Sequence, residues 1–358
     1  MSEPVPSPTP SVVRDLYPGA FAMVMATGIC AIAAQQHRAT WLADGLYGVA
    51  AVMFVVLVVL LVLRAARYPR ALWADLTRHE QGFAFLTVVA ATNVLADAAA
   101  VVHGWWALTA ALAAVSVPLW LVLVYVPLSA VVLGSRKPGL DRGINGSWFL
   151  LTVATESVAG VIGLLLGRGG GDLLAFLGLA AFTLGLLLYV VVMTLVFLRW
   201  TFGRTSPAEL DPPTWIAAGA LAITVLAGSN LVLADGRVPR LAALAPFLEG
   251  MVVTAWATST FWFPLMVVFG VWRHVVRRLP LRYHPSYWAM VFPLGMYAAA
   301  TYRMRSALDL DVLGWAPTVA FVVALAAWAP TCAGLVRGLF RRRKVASPER
   351  DAPAPGVP

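Results

Sequence analysis

Apolar runs of roughly 20 residues, the length that crosses the hydrocarbon of a bilayer as a helix, recur ten times along this chain. They cover 17–36, 42–63, 82–102, 105–133, 146–167, 172–198, 214–234, 245–272, 286–304 and 313–336. In hydrocarbon every backbone N–H and C=O must bond within the protein, so only helices or a closed barrel can satisfy such runs. Their unbroken apolar character excludes the in–out alternation of a barrel strand. The reading is an all-α integral membrane protein of ten transmembrane helices. The breaks carry the expected punctuation: His103-Gly104, Arg168 with Gly169, Gly170 and Gly171, and Pro212-Pro213. The gaps are too short to hold a soluble domain, so successive helices are antiparallel neighbours, paired as helical hairpins. The membrane domain is placed at 17–338. Residues 1–16, with Pro4, Pro6, Pro8 and Pro10 and no apolar core, read as a disordered tail and not a cleaved signal peptide. Residues 339–358 read as a basic, then disordered, C-terminal tail.

The basic residues test the count. With ten spans, 20 of the 26 Lys and Arg fall on one side, among them Arg64, Arg67, Arg70 and Arg78, Arg136, Lys137 and Arg142, Arg199 and Arg204, and Arg273, Arg277, Arg278 and Arg282. The other side holds Arg38, Arg168, Arg237, Arg240, Arg303 and Arg305. Lys and Arg accumulate on the cytoplasmic side, so both termini are expected in the cytoplasm and the protein in the inner (plasma) membrane. One missed span would scramble this alternation.

Composition agrees. Hydrophobic residues make up 60% of the chain and charged residues 12%, where a soluble domain carries about a quarter charged. The net charge of +9 is spread between the apolar runs, which suits anionic lipid headgroups and not nucleic acid. Cys30 and Cys332 stand apart inside apolar runs, in no metal-binding or disulfide pattern. No histidine pair faces across a span as haem ligation needs. No nucleotide-binding loop and no catalytic constellation is present. No cofactor, metal or enzymatic activity is expected.

A polar group at mid-membrane is costly unless it faces protein or water, so these are the residues to weigh. Glu156 lies near the middle of the fifth span. Thr152, Glu156, Gly160, Gly163 and Gly167 recur at spacings of three and four, forming one small-and-polar stripe. The stripe is either the wall of an aqueous path, with Glu156 able to titrate, or a tightly packed helix interface. Thr92 and Asn93 in the third span and Ser229 and Asn230 in the seventh offer neutral donors. Such donors coordinate an anion without the deep trap of a buried arginine, or simply bond between helices. Phe292-Pro293 marks a bend in the ninth span, where the phenylalanine either plugs a narrow path or fills the core beside a kink.

Three stretches acquire meaning together: Tyr17-Pro18-Gly19-Ala20-Phe21-Ala22-Met23-Val24-Met25-Ala26-Thr27-Gly28; Asn145-Gly146-Ser147-Trp148 leading to Val153-Ala154-Thr155-Glu156-Ser157; and Trp288-Ala289-Met290-Val291-Phe292-Pro293-Leu294-Gly295. With Trp262-Phe263-Pro264-Leu265 and Trp272-Arg273-His274, the chain resembles the tellurite-resistance/dicarboxylate transporter family, which includes plant slow-type anion channels and fungal malate and sulfite transporters. The resemblance covers roughly 15–338. It implies five hairpins around a central pore lined by the odd-numbered spans, a homotrimer, and a pore gate at Phe292 with Pro293 beside it. Thr27, Asn93, Thr152, Glu156 and Ser229 are the candidates for the pore wall. The implied activity is transport of small anions: a C4-dicarboxylate such as malate, sulfite, chloride, nitrate or tellurite. The alternatives are a proton-coupled dicarboxylate or sulfite exporter using Glu156 and, further off, a membrane-embedded enzyme. Pore helices of the family are often kinked by mid-helix prolines, whereas the third, fifth and seventh spans here have none.

Overall fold

The computed structural model describes residues 11–345, apart from 136, 205, 208, 235 and 237 and the side chains of 141, 240 and 341–345. Its helices are α1 (Ala22–Gln36), α2 (Thr40–Arg67), α3 (Pro69–Leu76), α4 (Thr87–His103), α5 (Trp106–Leu133), α6 (Leu140–Gly143), α7 (Leu150–Leu166), α8 (Asp172–Phe202), α9 (Ile216–Val232), α10 (Pro239–Val271), α11 (Trp288–Leu308) and α12 (Ala316–Val345). No strand occurs among the described residues. Among the described residues, eight helices are long and apolar enough to cross a membrane: α2, α4, α5, α7, α8, α9, α10 and α12, several with an extra turn. The protein is a multi-pass integral membrane protein. The first and ninth expected spans form the shorter α1, 15 residues long, and α11, which carries Arg303 and Arg305.

Helix packing sorts the long helices into two sets. α1, α4, α7, α9 and α11 pack each against the next, and α11 returns to α1, closing a ring. α2, α5, α8, α10 and α12 lie outside, each against the inner helix that precedes it and leaning on the inner helix that follows. The inner sequences explain the close approach. α9 reads Ile-Ala-Ala-Gly-Ala-Leu-Ala-Ile-Thr, and small residues let helix backbones meet in lipid, where van der Waals contact must do what water exclusion does elsewhere. A Cβ on Gly219 of α9 would stand 2.7 Å from the Pro293 ring of α11, and one on Gly295 of α11 would stand 2.8 Å from Ile29 of α1. Outside, α2 turns Val52, Val55, Val59 and Val62 to the exterior, as a lipid-facing helix should. The prolines follow the same division: Pro118, Pro127, Pro246, Pro264 and Pro330 interrupt outer helices, and Pro293 is the one inside an inner helix.

Every inner helix opens with a tight turn at the same end of the ring. Gly82–Leu86, Gly146–Phe149, Pro212–Trp215 and Pro285–Tyr287 are 3₁₀ turns. Ahead of α1, the Ala20 and Ala22 amides donate to the Tyr17 and Gly19 carbonyls in the same three-residue pattern. The tight i→i+3 geometry narrows the chain where five segments converge. The Asn145 side chain accepts from the Ser147 amide at 2.8 Å, and His284 Nδ1 accepts from the Ser286 amide at 3.2 Å. These bonds satisfy donors that a helix start leaves orphaned. This end is called the near end below.

Ser11–Leu16 form a hydrogen-bonded turn, and the buried Arg64 donates to the Leu16 carbonyl and pairs with Asp75, tying the turn to α2 and α3. Residues 1–10 lie outside the described residues. α12 continues to Val345, past the expected boundary at 338.

Candidate functional site

At the near end the ring holds a narrow cavity on its axis. All five inner segments contribute, three residues apart along each: Ala22 and Met25, Ala84 and Thr87, Ser147 and Leu150, Pro213 and Ile216, and Ser286, Ala289 and Phe292. A spacing of three returns a helix to the same face, so five helices present one face each to a shared space. The cavity has about 20 Å³ of free volume, close to what a single water occupies. Phe292, 1% exposed, is the lining residue furthest along α11. Pro293 packs its ring against Gly219, which fixes where that turn of α11 sits.

The cavity opens outward into a vestibule of about 500 Å³, lined by Arg142, Arg199, Arg273 and Arg282, by Glu80, Glu209 and Asp211, and by Tyr17, Asn145, Ser147, His284 and Ser286. Arg273 Nη1 donates to the Pro207 and Leu210 carbonyls, 2.9 Å each, and Arg199 Nη2 lies 3.6 Å from Glu209 Oε1. These bonds hold the loop before α9 over the cavity mouth. Burial raises the Asp211 carboxyl to about 6, against the pull of Arg273 and Arg199. Burial lowers the His284 imidazole.

Of the sequence candidates, Phe292 lines the cavity, while Thr27, Asn93, Thr152, Glu156 and Ser229 are absent from its lining. Two residues past Met25, Thr27 is turned away from that lining face, and its hydroxyl accepts the Trp328 indole N–H of α12 at 3.0 Å. Asn93 Nδ2 donates to Ser157 Oγ at 2.9 Å, joining α4 to α7. Thr152 and Ser229 are buried with hydroxyls that find no partner. Glu156 is fully buried and lies against α8, where a Cβ on Gly185 would stand 2.6 Å from its Oε1. Neither carboxylate oxygen has a hydrogen-bond partner of good geometry, although the Thr224 hydroxyl of α9 stands close. The small stripe on α7 serves packing: Cβ atoms on Gly160 and Gly163 would meet Ala227 and Asn230 of α9.

Met25, Leu150, Ile216 and Ala289 escaped sequence reasoning because an apolar lining residue looks like any other apolar residue in a span. The available signal was spacing, since each stands three residues beyond another lining residue in or beside an opening turn. Among the described residues no cluster of His, Cys, Asp and Glu is placed to hold a metal ion.

The model of the voltage-dependent anion channel family matches residues 15–336. An uncharacterized membrane protein of Mycobacterium tuberculosis is 39% identical over 160 residues, 42% of this chain and 77% of that one. Two uncharacterized transporters of Methanocaldococcus jannaschii are similar over nearly the whole length. One is 23% identical over 316 residues, 85% of this chain and 88% of its own, and the other 22% over 320 residues, 85% and 89%.

Proposed function

The chain belongs to the voltage-dependent anion channel family, and from that premise we propose that it passes small anions along the axis of the inner ring, with Phe292 as the closed gate. The observation that carries this reading is the axial cavity itself: five helices contribute to one narrow space that ends on one aromatic ring. A cavity this size with apolar walls excludes a hydrated ion by sterics and dewetting. The arginines of the vestibule concentrate anions at its mouth. The near end, where most basic loops gather, faces the cytoplasm in this reading, and the ten long helices all span. Cargo is a small mono- or divalent anion: chloride, nitrate, sulfite, tellurite or a C4-dicarboxylate such as malate. A homotrimer gives each subunit its own path. The test is anion flux in proteoliposomes. Phe292→Ala should raise nitrate flux roughly tenfold, the effect of removing a barrier of ~1.4 kcal/mol. Unchanged flux in folded protein would overturn this reading, the axial path together with its gate.

One observation favours a second reading, a proton-coupled exporter. A carboxyl buried among α7, α8 and α9 without a well-made hydrogen bond is the sort of intramembrane group that proton-coupled transporters use. Glu156→Gln under an imposed pH gradient decides it: gradient-driven uptake that survives unchanged removes Glu156 from coupling.

A further inference from the structure

We propose that the far end of the inner ring carries a second anion site, built on Arg303 of α11, oriented by Asn230 and tempered by Asp97. The inference rests on the axial path proposed above. Arg303 follows Phe292 by eleven residues. At 100° per residue that spacing brings it within about 20° of the same helix face, roughly 16 Å further along. The face that closes the cavity with Phe292 therefore presents a guanidinium three turns later.

The surroundings hold that guanidinium in place. Arg303 Nε donates to Asn230 Oδ1 of α9 at 2.7 Å, and Asn230 Nδ2 donates to the Gly160 carbonyl of α7 at 3.1 Å. One side chain thus ties α11, α9 and α7 together. Among the described residues, neither terminal nitrogen of Arg303 has a hydrogen-bond or ion-pair partner. The guanidinium keeps a planar pair of donors, the geometry that receives a carboxylate or an oxyanion on two bonds.

Asp97 supplies the restraint. It lies on α4, which is not a ring neighbour of α11, with Arg303 within electrostatic reach. Asp97 is 6% exposed, and its Oδ1 is buried without a partner. A lone buried arginine would trap an anion, and conduction needs binding weak enough to release. A carboxylate within electrostatic reach of Arg303 weakens the hold on cargo without removing it.

The site takes a small oxyanion or carboxylate. The experiment measures nitrate and malonate flux against concentration in proteoliposomes, in the Phe292→Ala background so that the near-end gate does not limit. Arg303→Gln is expected to raise the half-saturating malonate concentration about tenfold or more, the effect of losing a charge-assisted bond. Arg303→Lys should recover part of that loss. Asp97→Asn, nearly isosteric, should shift half-saturation the opposite way, toward tighter binding and slower maximal flux. If Phe292→Ala conducts well and Arg303→Gln and Asp97→Asn both leave half-saturation where it was, the axial path stands and this site falls. If Phe292→Ala conducts no better than the unaltered protein, path and site fall together.

Discussion

The inner and outer helices of this protein are built from similarly apolar sequences and do opposite things with them. Inner helices run 15 to 21 residues and outer ones 28 to 33. In the apolar stretches of α4, α7 and α9, 89–94% of residues are buried within the protein, against 17–39% in the outer helices. Side-chain size accounts for the contrast better than hydrophobicity does. Ala, Gly and Thr let the inner ring close, while Val and Leu on the outer helices face outward. A 17-residue helix spans only about 25 Å, so the opening turns complete each inner segment at the near end.

The hardest test of the contrast adds bulk. Gly219→Leu drives a side chain into the Pro293 ring. Overpacking a tight contact costs about 1–3 kcal/mol or more, so the variant should lose its monodisperse peak in detergent or melt far earlier. The same change at Gly250 of α10, where a Cβ meets nothing within 4 Å, should leave both readouts alone. Equal damage at the two sites would erase the distinction between ring and surround.

A middle-sized effect comes from charge. Asp211 sits at the mouth of the inner ring with its carboxyl raised to about 6. At pH 7 it is ionised and offsets Arg199 and Arg273. As pH falls through 6 it takes up a proton, Arg273 loses that compensation while Arg199 keeps Glu209, and anion flux should rise severalfold between pH 7 and pH 5, the direction that local field focusing gives. Asp211→Asn should hold flux at the acid level throughout. Asp44, exposed on outer α2, should show no such behaviour when changed to Asn.

The smallest effect joins the two sets. The indoles of Trp120, Trp256 and Trp328 on outer helices donate to the Thr155, Thr301 and Thr27 hydroxyls of the next inner helix. Trp120→Phe keeps most of the ring and loses one bond. Bonds of this kind average ~0.6 kcal/mol in membranes, so a small drop in melting temperature with unchanged flux is expected.

Much of the fold was legible because lipid makes simple demands: run length gave the helices, and punctuation gave the turns. The first and ninth spans read like the rest, yet α1 is short and α11 carries arginines, so among the described residues eight helices and not ten have the length and apolarity of a crossing. The site was legible only in part. Phe292 announced itself through Pro293, and the resemblance gave it a role. Thr27, Asn93, Thr152, Glu156 and Ser229 drew attention because they are polar, and polarity in a membrane helix marks a bond to another helix as readily as a watery wall. Thr27 with Trp328 and Asn93 with Ser157 are such bonds. The residues that line the cavity are mostly apolar, and only three-dimensional register distinguishes Ile216 from Leu221.

The central claim is that the axis of the inner ring is the anion path. Ile216→Cys in the Phe292→Ala background tests it most directly, with the charged thiol reagent methanethiosulfonate ethylsulfonate added from the near end and nitrate flux followed in time. The reagent should reach Ile216→Cys and cut flux to the level of empty liposomes, while Arg70→Cys, exposed on the short α3 and outside both the cavity and the vestibule lining, is modified without effect. Complete modification at position 216 with flux undiminished would contradict it.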